Sequence, residues 1–511
     1  MPSQSEPNPQ QDASMDSSMP PMKKSGLEAL WKQPIESKTI DWTTITTPSF
    51  EAKFPGCDFR KVWMQEDEES HEDYCAGGYH PVQLGDKFAN NRYTIVHKLG
   101  FGGYSTVWLA FDEEKKTYVS LKIAVSDPGK DKREAEDEIS ILTQLLATDS
   151  KHPGKSSIAN PPLDSFVHDG VNGKHQCTVS TLHRVSLAVS KESADGAFLF
   201  EPQTARAMIA QLILAVAYMH SNGVVHGDIT LSNIFLPPPN MSDIASHKDL
   251  FTKFQPAGPQ PLVQDDGEPY GPEKPPYMMP SFWFGGACDE LEFKDAWVTL
   301  GDFGEAWKPA ERSRFKLHTP VLYLAPEAVF AEEEQVPISF PSDIWALGMV
   351  IYSLYASGSL LEVVSDEEGM LDEVTNMLGD APRRFRDLEE GGRRFTEKHA
   401  ILKVPREIFG LDRRVHEWVA ADWEDELAEE EIDDLYELLR GIFKWQPKHR
   451  VTAEGLVRSR WMRKWGIPAL EDLCETREGG DGYLAMARDV AEPRGVLNSL
   501  MERFKKLVLL A

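Results

Sequence analysis

His226-Gly227-Asp228-Ile229-Thr230-Leu231-Ser232-Asn233 has the spacing H-x-D-x-x-x-x-N. In that frame a carboxylate can accept a hydroxyl proton, and an amide further along the loop can help hold a divalent cation, which is the equipment of a phosphotransfer loop. Gly227 and Thr230 stand where arginine and lysine are commonly expected. The frame decides what the flanking sequence must supply: a cradle for phosphates, a cation to hold them and a second oxygen ligand for a metal.

Upstream, Leu99-Gly100-Phe101-Gly102-Gly103-Tyr104-Ser105-Thr106-Val107 sets glycines between the β-rich runs Tyr93 to Leu99 and Thr106 to Phe111. Backbone amides there can approach phosphates without Cβ obstruction, although an ordinary glycine hairpin reads the same way. Lys122 lies in the next β-rich run, Thr117 to Ala124, where its ammonium can reach the α- and β-phosphates. The spacing predicts a helix over about Lys132 to Leu146, with Glu138 on the apolar face that carries Ala135, Leu142 and Leu145. An inward carboxylate is costly unless it meets a cation, and Lys122 is the expected partner.

Downstream, Leu300-Gly301-Asp302-Phe303-Gly304 offers Asp302 as an oxygen ligand. Magnesium takes hard oxygen donors and needs only one or two from protein, so Asn233 and Asp302 suffice, leaving Asp228 to orient and deprotonate a substrate hydroxyl. Small-molecule phosphotransferases also use an H-G-D loop, and Gly227 alone points toward them. The segment Thr319-Pro-Val-Leu-Tyr323-Leu-Ala325-Pro326-Glu327 and the all-round apolar helix opened by Asp343-Ile-Trp345 instead suit a platform for polypeptide substrates. Glu327 calls for a buried cation, which Arg450 can supply bidentately.

The chain's 511 residues exceed what one hydrophobic core supports, so a two-lobed unit or two domains is expected. A net charge of -28 excludes a general nucleic-acid binder and is compatible with a basic protein partner. The five cysteines are scattered with no C-x-x-C pair, as in a reduced intracellular protein without a zinc site. No signal peptide is read, because the first twenty residues carry no apolar core, and no membrane span, because the most apolar run, Met208 to Met219, is too short to cross a bilayer. Residues 1–75 read as a mostly disordered extension with local docking around Trp31, Trp42 and Trp63, residues 237–296 as a Pro/Gly-rich insertion, and residues 467–511 as a tail whose Val496 to Leu510 part could dock as a helix.

Taken in order, these motifs resemble a eukaryotic protein kinase over residues 92 to about 465. Gly77-Gly78-Tyr79-His80-Pro81-Val82, Lys98 to Leu109, Asp137-Glu138-Ile139, His152-Pro153-Gly154 and Gly301 to Ala306 narrow the likeness to SR-protein kinases. The resemblance implies an α+β bilobal fold, with a β-rich N-lobe over 76–181 and a mainly helical C-lobe over 182–466. It implies transfer of the γ-phosphoryl group of Mg-ATP to serine, with Leu99 and Val107 covering the adenine and the connector near Ser180 to His183 presenting backbone groups to it. It also implies basic Arg/Ser-rich substrates. The run Asp422 to Asp434, with nine acids and no base, reads either as a docking surface for them or as a solvated helix face.

Gly227 removes the arginine that commonly senses a phosphorylated activation segment, as in SR-protein kinases, so activity is expected to be independent of phosphorylation at Ser313 or Thr319. Thr230 removes a cation from the transferring phosphate, a loss of a few kcal/mol, roughly a hundredfold or more in rate. The expectation is an active serine/threonine kinase of the cytoplasm or nucleus; the alternative is a weakly active or inactive nucleotide-binding scaffold.

Overall fold

The β-rich runs of the first half pair into one antiparallel sheet of six strands in the order β1-β2-β3-β4-β6-β5. These are β1 (Lys87–Phe88), β2 (Tyr93–Gly102), β3 (Ser105–Asp112), β4 (Thr117–Ala124), β5 (Asp164–Gly170) and β6 (Gly173–Thr181). The structure is a computed structural model and describes residues 68–126, 132–196, 198–264, 269–362, 364–382, 410–423, 426–476 and 480–491. The expected docking of Trp31, Trp42 and Trp63 and the helix over Val496 to Leu510 lie outside the described residues.

Strands β2 to β4 coincide with the three runs visible in the sequence. The polar edge strand β5, half exposed along its length, and its partner β6 add two strands beyond those three runs. On β4, Val119, Leu121 and Ile123 are buried while Lys122 between them is exposed. The two-residue period of a strand therefore turns Lys122 away from the sheet's core, toward the site.

Tyr93 to Lys98 on β2 are buried without alternation, so both faces of that strand are covered. The cover is the insertion. Its helix α4 (His247–Phe254) contributes Leu250 and Phe251, and Tyr277, Met279, Phe282 and Phe284 join them in one apolar cluster with Val82, Phe88, Ile95 and Leu109. Phe282 donates its N–H to the Lys98 carbonyl at 2.8 Å, and its ring meets His97 edge-on at 5.0 Å. A segment rich in proline and glycine is thus held by aromatic side chains on the sheet.

Helix α1 (Lys132–Ala147) buries Ile141, Leu142 and Leu145. The helices that follow the sheet include α2 (Leu187–Glu192), α3 (Pro202–Ser221), α5 (Pro326–Glu334), α6 (Pro341–Tyr355), α7 (Glu367–Leu378), α8 (Glu429–Ile442), α9 (Ala453–Val457), α10 (Ile467–Glu475) and α11 (Gly480–Ala491). Helices α3 and α6 are buried almost all round and form the centre of the larger core, as expected for helices apolar on every side. Among the described residues no helix is long and apolar enough to cross a membrane, and the four cysteines are free.

Candidate active site

The loop from His226 to Asn233 is assembled by two short ribbons. Val225 pairs with Trp307, N–H to carbonyl in both directions at 2.9 and 3.0 Å. After the loop, β7 (Ile234–Phe235) pairs antiparallel with β8 (Thr299–Leu300), and Gly301 donates to the Asn233 carbonyl at 2.9 Å. The insertion leaves from one strand of this ribbon and returns on the other. Asp228, Asn233 and Asp302 therefore meet although the insertion separates the last from the first two.

The loop's backbone is held from below by Asp343, which is 1 % exposed at the start of α6. Its carboxylate accepts the N–H of His226 at 2.8 Å and of Gly227 at 2.9 Å, and pairs with His220 Nε2 at 2.9 Å. His226 Nδ1 accepts the Asp228 N–H at 3.2 Å, which leaves Nε2–H to donate to the Gly301 carbonyl at 3.1 Å. That pair of bonds selects the Nε2–H tautomer and ties the loop to the residue before Asp302. Phe303 packs edge-on against the same imidazole at 4.6 Å.

Asp228 is fixed through both oxygens. Asn233 Nδ2 donates to Oδ2 at 2.7 Å and to the Asp228 carbonyl at 2.9 Å. The Thr319 hydroxyl lies 2.8 Å from Oδ1 and 2.6 Å from the Gly227 carbonyl. Burial raises the proton affinity of Asp228, and the Thr319 hydrogen bond opposes this. Thr319 thus sits on the aspartate itself.

Lys122 Nζ lies 3.4 Å from Asp302 Oδ2, with 46 and 39 % of the two side chains exposed, so water reaches the pair. Asp302 holds the Lys122 ammonium in its charged form, and Lys122 holds Asp302 below the usual carboxylate range. Asp302 adopts a left-handed backbone, φ 53°, which an aspartate tolerates better than most residues. Glu138, expected as the direct partner of Lys122, instead acts on it through its field, second to Asp302, while the Phe303 backbone favours the charged form of its carboxyl. Burial pushes the Glu138 carboxyl up, and Lys122 works against that rise. Helix α1 packs on the turn Phe303–Glu305, and of the two carboxylates Asp302 acts on the ammonium more strongly.

At Gly100, Gly102 and Gly103 a Cβ would meet no heavy atom within 4 Å, so the tip of the β2–β3 hairpin is open. Phe101 and Tyr104 are exposed there, while Ser105 and Thr106 are buried. Leu99 and Val107 are half-buried at its base. On the connector, His183 stacks on Phe235 at 5.2 Å, and burial pushes its imidazole down to about 4. Thr230 is 2 % exposed and places no charge in the loop.

Farther along, Arg450 donates to both Glu327 oxygens at 2.6 Å, as its place in the sequence led us to expect, and lies 5.0 Å from the Trp345 ring. Two partners went unread in the sequence. The apolar pattern marks Asp343 only as a helix start, although a single acid heading an otherwise apolar helix signals a buried acceptor. Trp307, which fills the space beside Gly227, carried no signal.

The protein kinase domain profile matches residues 93–245 and 291–462, leaving out most of the insertion. Protein kinase dsk1 of Schizosaccharomyces pombe is 39 % identical over 171 residues, 33 % of this chain and 31 % of that protein. SRSF protein kinase 3 of Homo sapiens is 36 % identical over 174 residues, 34 % of this chain and 30 % of that protein. The chain thus spans about a third of the length of these two relatives. The serine/threonine-protein kinase SRPK of Physarum polycephalum is 26 % identical over 414 residues, 78 % of this chain and 92 % of that protein. With every kinase motif in order on a β-sheet lobe and a helical lobe, the chain belongs to the protein kinase domain family and resembles the SR-protein kinases within it.

Proposed function

We propose that this chain is an ATP-dependent protein serine/threonine kinase of the SR-protein kinase type. The observation that carries the reading is the Asp228 carboxylate, held on one oxygen by Thr319 and on the other by Asn233, in the loop tied to Asp302 and its Lys122 pair. In this reading Asp228 orients a serine hydroxyl and accepts its proton, a task helped by the rise in proton affinity that burial gives it. Lys122 holds the nucleotide phosphates, Glu138 steadies Lys122 and the Phe303 turn, and the hairpin from Leu99 through Gly100, Phe101, Gly102, Gly103, Tyr104, Ser105 and Thr106 to Val107 covers the nucleotide.

The residues fit Mg²⁺. Asn233 spends its amide N–H groups on Asp228 and keeps its oxygen for a cation, and Asp302 supplies a carboxylate held in its ionised form. Among the described residues no group of three or more acidic, histidine or cysteine side chains could hold a metal by itself, in keeping with a cation shared with nucleotide phosphates. When bound, Mg²⁺ neutralises charge on those phosphate oxygens. Residues 76–181 and 182–466 are the two lobes, with 237–296 inserted, and the protein acts in the cytoplasm or nucleus.

The kinases named above and the net charge of -28 support basic Arg/Ser-rich protein substrates. The test is γ-phosphate transfer by purified protein with Mg-ATP to an Arg/Ser-repeat peptide and to an acidic peptide, with Asp228→Asn as control. Transfer to the basic peptide, lost in the control, is expected. Equal signal from the control would overturn the reading, and nucleotide binding without transfer would leave a scaffold.

A further inference from the structure

The segment before the sheet runs as a strap from Glu69 to Leu84, reaching back into residues expected to belong to the extension. Its chemistry converges on the nucleotide hairpin at two points. Lys98, two residues before Gly100, is fully buried and forms an ion pair with Glu69, whose other oxygen accepts the Tyr74 hydroxyl. Tyr79 donates its hydroxyl to the carbonyl of Gly102 at 2.8 Å.

Tyr79 is built to stand still. Gly77 and Gly78 make the turn that inserts it: Gly77 has φ +88°, and a Cβ on Gly78 would lie 2.0 Å from the Asp73 carbonyl. The Tyr79 backbone donates to Asp73 at 3.0 Å and accepts from Asn172 Nδ2 at 2.7 Å, and Ser126 donates to the Gly78 carbonyl at 3.1 Å. The Tyr79 ring, 4 % exposed, packs against Tyr74 at 5.5 Å and against Met278 of the insertion. A rigid post therefore ends in one hydroxyl, and that hydroxyl meets a hairpin tip whose glycines touch no packed neighbour. On the far side of the tip, Val125 donates to the Tyr104 carbonyl at 2.9 Å, so both flanks of the turn are anchored through backbone carbonyls.

We infer that Tyr79 is a positioning residue for the nucleotide: by holding the Gly102 carbonyl it fixes the hairpin in the conformation that receives phosphates, so the strap sets affinity for ATP. This rests on the reading of the hairpin as a nucleotide cover. A glycine tip without side-chain packing loses conformational entropy on closing over a ligand, and an existing tether reduces that loss. The tether acts on binding and leaves Asp228 untouched.

The test is Tyr79→Phe in the full chain, which removes one oxygen and keeps the packed ring. Expected are a three- to tenfold rise in the dissociation constant of a fluorescent ATP analogue and in KM for ATP, with kcat at saturating ATP unchanged. Amide hydrogen exchange over residues 100–105 should quicken while the thermal midpoint holds. If the parent binds the analogue and Tyr79→Phe matches it in affinity and exchange, the positioning role is overturned while the nucleotide reading stands. If kcat, KM and thermal midpoint all deteriorate together, the role is structural and the inference fails. A parent that binds no nucleotide overturns both.

Discussion

The indole of Trp307 fills the space that a side chain at Gly227 would need. A Cβ built on Gly227 would lie 2.8 Å from Trp307 Cζ3 and 2.9 Å from the Glu305 carbonyl, and the residue has φ +82°. The missing arginine thus leaves no vacancy beside Asp228, because the tryptophan bridged to Val225 occupies that space. Gly227→Arg should combine left-handed backbone strain with overpacking and destabilise the protein by about 3 kcal/mol. It should also fail to raise kinase activity. Urea denaturation at neutral pH checks the first expectation and a transfer assay the second; a variant as stable as the parent would mean that the tryptophan yields readily.

The same corner explains how the segment after Asp302 keeps its shape without a phosphate. Arg314 donates to Glu305 at 2.6 Å and its guanidinium lies 5.1 Å from the Trp307 ring, so a resident carboxylate occupies the arginine. His318 adds a second contact to Glu305 at 2.9 Å. Ser313 beside them is exposed. Phosphatase-treated protein and Ser313→Ala should therefore keep parental kcat, whereas Glu305→Gln should lose activity several-fold. A strict dependence on phosphorylated Ser313 in the transfer assay would refute this.

Much of this site was legible in the sequence because its chemistry is carried by residue type and spacing. The strand period placed Lys122 opposite Leu121 and Ile123, and the order of motifs paired Glu327 with Arg450. What stayed hidden depends on contacts distant in sequence. No local pattern told that Lys122 would lie nearer Asp302 than Glu138 in effect, or that Trp307 would fill the space over Gly227. The insertion looked irregular because its proline and glycine content masks the few aromatics, Phe251, Phe282 and Phe284, that bind it to the sheet. The strap was unreadable for a related reason: the need for Glu69 arises only because Lys98 is buried, and burial of Lys98 is a consequence of tertiary packing.

A histidine cluster at the strap's base sets a pH limit on stability. His80 packs against His168 at 4.5 Å, His175 at 5.0 Å and Phe88 at 5.9 Å, with Asp86 and Asp169 acting on His168 from outside. Burial pushes His80 down to about 3, and the neighbouring imidazoles reinforce the shift. Above about pH 6.5 the group is neutral in both folded and unfolded chains, so nothing is lost. As pH falls below that value the unfolded chain takes up the proton first, and stability drains away until the folded value is passed. At pH 5 the loss from His80 alone should be about 2 kcal/mol. Denaturation midpoints at pH 7 and 5 check it: the difference should shrink in His80→Gln, and an undiminished difference would assign the acid sensitivity elsewhere.

Thr230 is the position where chemistry, not folding, is at stake. It is buried at the start of the turn Leu231–Asn233 and brings no charge to the loop, while Lys122 beyond it is committed to Asp302. The described loop thus brings one fewer cation to a transferring phosphate than its frame normally holds. A lysine at this position has a stem long enough to carry its ammonium past the shell that buries threonine. In the kinase reading that ammonium stabilises charge that develops during transfer, so Thr230→Lys should raise kcat by roughly ten- to a hundredfold with KM for ATP little changed. Steady-state transfer to an Arg/Ser-repeat peptide measures both constants. A rise in affinity without a rise in kcat would place the new charge on bound nucleotide rather than on the transfer step. An unchanged kcat in a folded, nucleotide-binding variant would mean that another group of this chain already neutralises the phosphate in place of the lysine.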